Sequence, residues 1–248
     1  MNSAIQLEVC VESIESARAA EQGGATRVEL CSALSEGGIT PSAGLIAMVR
    51  RNVNIPVHVL IRPRGGGFVY SNDEFDVMKR DIVLGRQLGA NGVALGILDL
   101  EGHIDIDRTR ILVELASPMQ VTFHRAFDFA PKLAEALKAV LKTGATRILT
   151  SGGALSAEQG SEVLRDLVLQ AGSRIGIMAA GRIRQNNVAQ VIRATGVLEI
   201  HSNLASPLPS GARQLKPDLS LGSLPEPVRT EVSPQTVAAF LQAATEPA

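Results

Sequence analysis

A single (β/α)₈ barrel, a TIM barrel over residues 1–248, is the fold that this chain predicts, on three observations. Apolar strand-like runs alternate with amphipathic stretches rich in Ala, Leu, Glu and Arg from residue 5 to about residue 201. Eight such units fill that span, which suits a closed barrel better than a doubly wound sheet, the competing arrangement. Three strands are introduced by one phrase: Gly24-Ala25-Thr26-Arg27-Val28, Gly89-Ala90-Asn91-Gly92-Val93 and Gly144-Ala145-Thr146-Arg147-Ile148. In each, glycine ends the preceding helix and the chain runs straight into the next strand.

Strands are expected at 5–10, 26–31, 56–61, 91–97, 119–124, 146–151, 174–178 and 196–201, and helices at 13–22, 43–52, 73–88, 107–116, 131–142, 156–170, 184–193 and 233–244. The first two strands end alike, in Leu7-Glu8-Val9-Cys10 and Val28-Glu29-Leu30-Cys31. Strand side chains alternate faces, so Glu8 with Cys10, and Glu29 with Cys31, point one way while the aliphatic residues point the other. The same even spacing pairs His58 with Arg62 on the third strand, Thr122 with His124 on the fifth, and Glu199 with His201 on the eighth. From about Asn203 to Thr230 neither period holds, and Pro207, Pro209, Pro217, Pro225 and Pro227 interrupt the chain. An irregular loop of this length, following the last strand, is expected over the barrel mouth.

A formal net charge of -1 with interspersed acids and bases provides no basic field for nucleic acid or an anionic membrane. The opening Met1-Asn2-Ser3-Ala4-Ile5-Gln6 lacks the features of a leader, and no run is long enough to span a bilayer, so a cytoplasmic protein is expected. Two cysteines in a reducing compartment read as free thiols, metal ligands or packing residues.

In such barrels chemistry sits at the carboxyl ends of the strands. The candidate acid–base groups there are Glu8, Glu29, His58, His124, Glu199 and His201; of the four histidines, only His103 falls elsewhere. Buried carboxylates need partners, so these residues and Arg62 are expected to form one hydrogen-bonded network. Arg62 and Arg64, with the glycines Gly65, Gly66 and Gly67, can hold a carboxylate or phosphate. Thr150, Ser151, Gly152 and Gly153 offer further donors after the sixth strand, and Arg125 follows His124 directly.

The strings LEVCVES, GGATRVELCSALSEGGITPS, IPVHVLIRPRGGGFVYSNDEF, VTFHRAFD, RILTSGG, GIMA and EIHS, in this order over residues 7 to 202, resemble those of the CutC copper-homeostasis family. The resemblance implies a (β/α)₈ barrel, a cytoplasmic location, homo-oligomers and a role in copper tolerance or binding, with Cys10 and Cys31 at the family's two strand-end cysteines. Copper as Cu(I) is soft and favours thiolate, which these residues would supply; no organic cofactor is indicated. The alternative is an enzyme of lyase, isomerase or hydrolase type, using Glu and His as acid and base on a small anionic or phosphorylated metabolite held by the arginines. The chain departs from the family pattern at Ala180 and Arg182, where the loop is usually richer in glycine, and at Asn203, where a smaller residue is usual.

Overall fold

A computed structural model describes residues 5–209 and 228–245. Eight parallel strands close into a barrel in sequence order: β1 (Gln6–Val11), β2 (Arg27–Leu30), β3 (Val57–Leu60), β4 (Gly92–Leu95), β5 (Gln120–Phe123), β6 (Arg147–Thr150), β7 (Gly176–Ala179) and β8 (Glu199–Ser202). Around them run α1 (Ile14–Gln22), α2 (Ala43–Asn52), α3 (Asn72–Gln87), α4 (Ile106–Ala116), α5 (Leu133–Leu141), α6 (Ser161–Ala171), α7 (Val188–Thr195) and α8 (Pro234–Thr245). Side chains cap several helix N-termini: Ser13 and Ser42 accept from backbone N–H groups one turn on, and Ser71 with Glu74 forms a capping box.

The three repeated lead-ins work as the sequence implies. Gly24, Gly89 and Gly144 take φ values of 95°, 88° and 85°, a region that side chains disfavour, and so reverse the chain between helix and strand. In two of them threonine adds a staple: Thr26 Oγ1 donates to the Leu7 carbonyl and Thr146 Oγ1 to that of Val121. The aliphatic faces of the strands pack under the helices in one continuous core that includes Leu7, Val9, Val28, Leu30, Phe123 and Ile200. The opposite faces enclose the polar interior.

Three expectations change. Helix α6 begins at Ser161 instead of residue 156 and α7 at Val188 instead of residue 184, because residues 151–160 and 185–187 fold as turns and bends. The stretch expected to be irregular from 203 to 230 contains two strands, β9 (Ser206–Pro209) and β10 (Val228–Glu231), paired antiparallel. The residues between them, and the expected cover over the mouth, lie outside the described residues.

Candidate functional site

The barrel interior is stacked in depth. In its lower part Glu8 pairs with Arg27, and Arg27 Nη2 reaches Glu199 Oε2 at 3.0 Å. Arg147 Nε donates to the same Glu199 oxygen at 2.5 Å, and its Nη1 donates to Thr122 at 3.3 Å. Two guanidiniums from opposite sides of the barrel thus neutralise carboxylates that would be prohibitively costly to bury alone. His58 fits beside Glu8 only because β4 opposes it with glycine: a β-carbon at Gly92 would lie 2.5 Å from its Nε2. Burial, together with Arg27 and Arg147, lowers the His58 pKa to about 4 against the pull of Glu8, so the ring is neutral.

Above this layer a cavity of about 500 Å³ opens at the carboxyl ends of the strands. Its polar lining comes from Cys10, Glu29, His201, His124, Arg62 and Arg125. His201 Nδ1 lies 2.8 Å from Glu8 Oε1, and its Nε2 lies 3.9 Å from Glu29 Oε2. Burial disfavours charge on His201, but Glu29 and Glu8 outweigh it and raise its pKa. Burial likewise pushes Glu8 up, yet His201, Arg27 and His58 hold it well below the usual carboxylate range. Glu29 is raised, chiefly by burial and despite His201.

Cys10 Sγ lies 3.4 Å from Cys31 Sγ and 3.5 Å from Glu29 Oε2. Hydrogen bonding with Cys31, burial and the neighbouring carboxylate all push the Cys10 thiol up. Ligand atoms of Cys10, Glu29 and His201 lie within 4.8 Å of one another, close enough to share a metal ion. Cys31 adjoins this group through Cys10. Carboxylate, thiol and imidazole can donate, accept or coordinate, so this floor suits either proton transfer or soft-metal binding.

The cavity therefore brings together Cys10, Glu29, His124, His201, Arg62 and Arg125, with Cys31 directly behind Cys10. Glu8, His58 and Glu199, expected at the mouth, stand below it; Glu199 instead borders a recess with Gly176 and Val197 near the start of β7 and β8. The single network expected also divides. Arg62 contacts none of the carboxylates, donating instead to the carbonyls of Glu36, Gly38 and Gly66. His124 accepts from the Ala126 N–H through Nδ1. Arg64 turns away from the mouth, pairing with Glu74 at 2.6 Å and donating to the carbonyls of Gly67 and Val69.

The donors expected to grip an anion after β6 are already occupied. Asp128, which the sequence reading did not single out, accepts from Thr150 Oγ1 at 2.5 Å, from the N–H groups of Ser151 and Gly153 at 3.0 Å, and from Arg125 Nε at 2.8 Å. Gly152 donates to Thr150 Oγ1 and adds no free donor. The chain's own carboxylate thus sits where an external anion was expected. Arg27 and Arg147 were missed as well. Their signal was the twin Thr-Arg opening, which places each arginine at even spacing from later inward residues.

These features define a class: a (β/α)₈ barrel whose mouth gathers two touching thiols, a carboxylate and a carboxylate-oriented imidazole. A model of the CutC family matches residues 5–206. A CutC family protein of Chromobacterium violaceum is 44% identical over 96% of this chain and 97% of its own length. A human relative named copper homeostasis protein cutC homolog is also 44% identical, over 88% of this chain and 80% of its own. The crystal structure of a CutC protein from Streptococcus agalactiae superimposes with a TM-score of 0.76 at 33% identity, over 79% of this chain and 97% of that one. The chain belongs to the CutC family. A thiamine phosphate pyrophosphorylase from Pyrococcus furiosus, 20% identical with a TM-score of 0.58, shares the fold. Among the described residues no helix is long and apolar enough to cross a membrane.

Proposed function

We propose that this protein binds Cu(I) at the floor of the barrel mouth in the cytoplasm, with the Cys10 and Cys31 thiolates as the main ligands and His201 Nε2 as a nitrogen ligand. The observation that carries this reading is the 3.4 Å contact between two free, buried thiols beside an imidazole. Soft thiolates favour Cu(I), whereas a Glu carboxylate alone does not. His201 has the form of a metal-binding histidine, since its other ring nitrogen rests on Glu8, the usual device for orienting such a ligand. Free thiols in contact also favour a reducing compartment. Association into homo-oligomers is proposed on the family likeness alone.

Anaerobic competition titration with a Cu(I) chelator tests the site. One Cu(I) per chain is expected, with affinity falling about 100-fold or more when Cys10 and Cys31 are both changed to Ser. An unchanged affinity in that double variant rejects the reading.

A second reading, acid–base catalysis on a small anion, is favoured by the orientation of His201 between Glu8 and Glu29. In it His201 and Glu29 exchange protons with the substrate, and Glu8 positions His201. Loss of turnover in His201→Asn, with copper affinity retained, would distinguish it.

A further inference from the structure

We infer that the barrel mouth also holds a small organic monocarboxylate with an apolar body, its carboxylate gripped between Arg62 and His124. This goes beyond metal binding and rests on a different wall of the cavity.

Arg62 is a buried cation without an acid. Only 6% of the residue is exposed, and its guanidinium spends its Nη groups on three backbone carbonyls. Among the described residues no carboxylate pairs with it; the buried Tyr70 hydroxyl lies beside the guanidinium, and Nε makes no hydrogen bond. Elsewhere in this interior each buried guanidinium meets a carboxylate, as Arg27 and Arg147 do. A buried charge left this way lacks a counter-anion.

His124 supplies a second unused donor. The Ala126 N–H donates to its Nδ1, so the ring proton of the neutral imidazole sits on Nε2, which is buried and has no partner. Gly96 reserves the space, since a β-carbon there would lie 2.6 Å from Nδ1. The Phe68 ring covers both donors, 5.1 Å from the His124 ring and 5.1 Å from the Arg62 guanidinium carbon. The backbone that carries it is pinned, with Arg62 and Arg64 donating to the Gly66 and Gly67 carbonyls and the Leu98 N–H to that of Phe68, so the ring moves by side-chain rotation. Displacing that ring exposes both donors to the cavity together.

The rest of the wall sets the ligand's shape. Leu34, Leu60, Leu98, Phe129 and Leu149 line a space of about 500 Å³, far larger than a metal ion needs and typical of sites for small organic molecules. A phosphate finds few donors here, because the hydroxyl and N–H groups after β6 are held by Asp128, whereas the two oxygens of a carboxylate match the two unused donors, Arg62 Nε and His124 Nε2.

Calorimetric titration of the metal-free full chain tests this independently of copper. The probes are monocarboxylates of about four to eight carbons such as 3-methylbutanoate, the matching amide, and inorganic phosphate. We expect saturable binding of at least one carboxylate, binding of its amide about tenfold or more weaker, and no competition by phosphate. The ¹⁵N signal of His124 Nε2 is expected to shift on binding, and His124→Phe to lose about tenfold in affinity. Absence of saturable binding across the series overturns the inference. So does an amide as tight as its acid, or parental affinity in His124→Phe. Arg62→Gln is expected to weaken binding similarly; should it fail to fold, the amide comparison and His124→Phe decide.

Discussion

In the lower barrel Glu8, Arg27, Glu199 and Arg147 occupy one another and the neutral His58 ring beside them keeps one unpartnered nitrogen, while a layer higher Arg62 Nε and His124 Nε2 make no hydrogen bond and Cys10 and His201 face the cavity. The two layers draw on the same residue types and the same alternation of strand faces. What differs is completion. The lower layer has two guanidiniums for two carboxylates and opens only on a recess at the base; the upper faces a cavity and leaves its chemistry unspent. The comparison shows that a charged barrel interior is no sign of a site by itself, and that the unsatisfied groups are the ones to follow.

Breaking the lower layer should have the largest effect on stability. Arg147→Met leaves Glu199 with one cation instead of two, and Arg27→Met removes the link between Glu8 and Glu199, so each should cost about 3–5 kcal/mol in urea unfolding. If either changes stability by less than about 1 kcal/mol, the completed layer is not what holds the lower barrel.

Asp128 comes next. Asp128→Ala deprives several donors of their acceptor and should cost roughly 2–3 kcal/mol. It also vacates an anion nest, so sulfate should raise the melting temperature of the variant and not that of the parent protein. Equal response to sulfate in both would show that the donors collapse without the carboxylate.

Acid should expose a smaller contrast. His58 and His124 are held neutral, with pKa values lowered to about 4 and about 3, mainly by burial. Unfolded, each takes up a proton below its ordinary value of 6.5, whereas in the fold it does so only near its lowered value. Their contribution is complete above pH 6.5 and is lost as pH falls toward 4 for His58 and 3 for His124. Glu29, raised by burial, acts in the opposite sense above its ordinary 4.5, and His201, raised by its carboxylate neighbours despite burial, gives stability that is lost as pH rises above 6.5. Comparing melting temperature against pH for the parent and His124→Phe isolates one term: the variant's curve should be flatter in acid. Parallel curves would mean that His124 titrates normally.

The smallest effect belongs to Arg64, half outside the structure's electrostatic interior. Arg64→Ala should shift the melting temperature by under about 2 °C and leave ligand binding unaltered. A loss of carboxylate affinity would instead move the boundary of the mouth outward to include it.

Much of this architecture is legible in the residues alone. The alternation of aliphatic and polar positions around Glu8, Cys10, Glu29 and Cys31 predicts which faces turn inward, and the touching thiols follow from two adjacent strands ending alike. Depth is not legible. Glu199 opens its strand and His58 is second in its own, so both lie low in the barrel, although period-two spacing treats them like His201. Arg27 and Arg147 begin strands beside turns, where arginine ordinarily faces water, and only the closure of the barrel turns them inward. Asp128 lies in a short 3₁₀ helix after β5, too brief for a period to betray its direction; its role emerges when a distant loop wraps around it.

The seam between β1 and β8 has a consequence for how the barrel shuts. Every other neighbouring pair of strands is joined by a short stretch of chain, whereas these two come from opposite ends of the barrel sequence and must find each other. Arg27 with Glu199 and His201 with Glu8 bridge the early and late strands, in addition to the backbone ladder. Before the last strand arrives, Arg27 has only Glu8 and Arg147 lacks its acid. Docking of β8 therefore brings in the missing carboxylate, coupling completion of the ring to neutralisation of its interior and disfavouring partly assembled barrels.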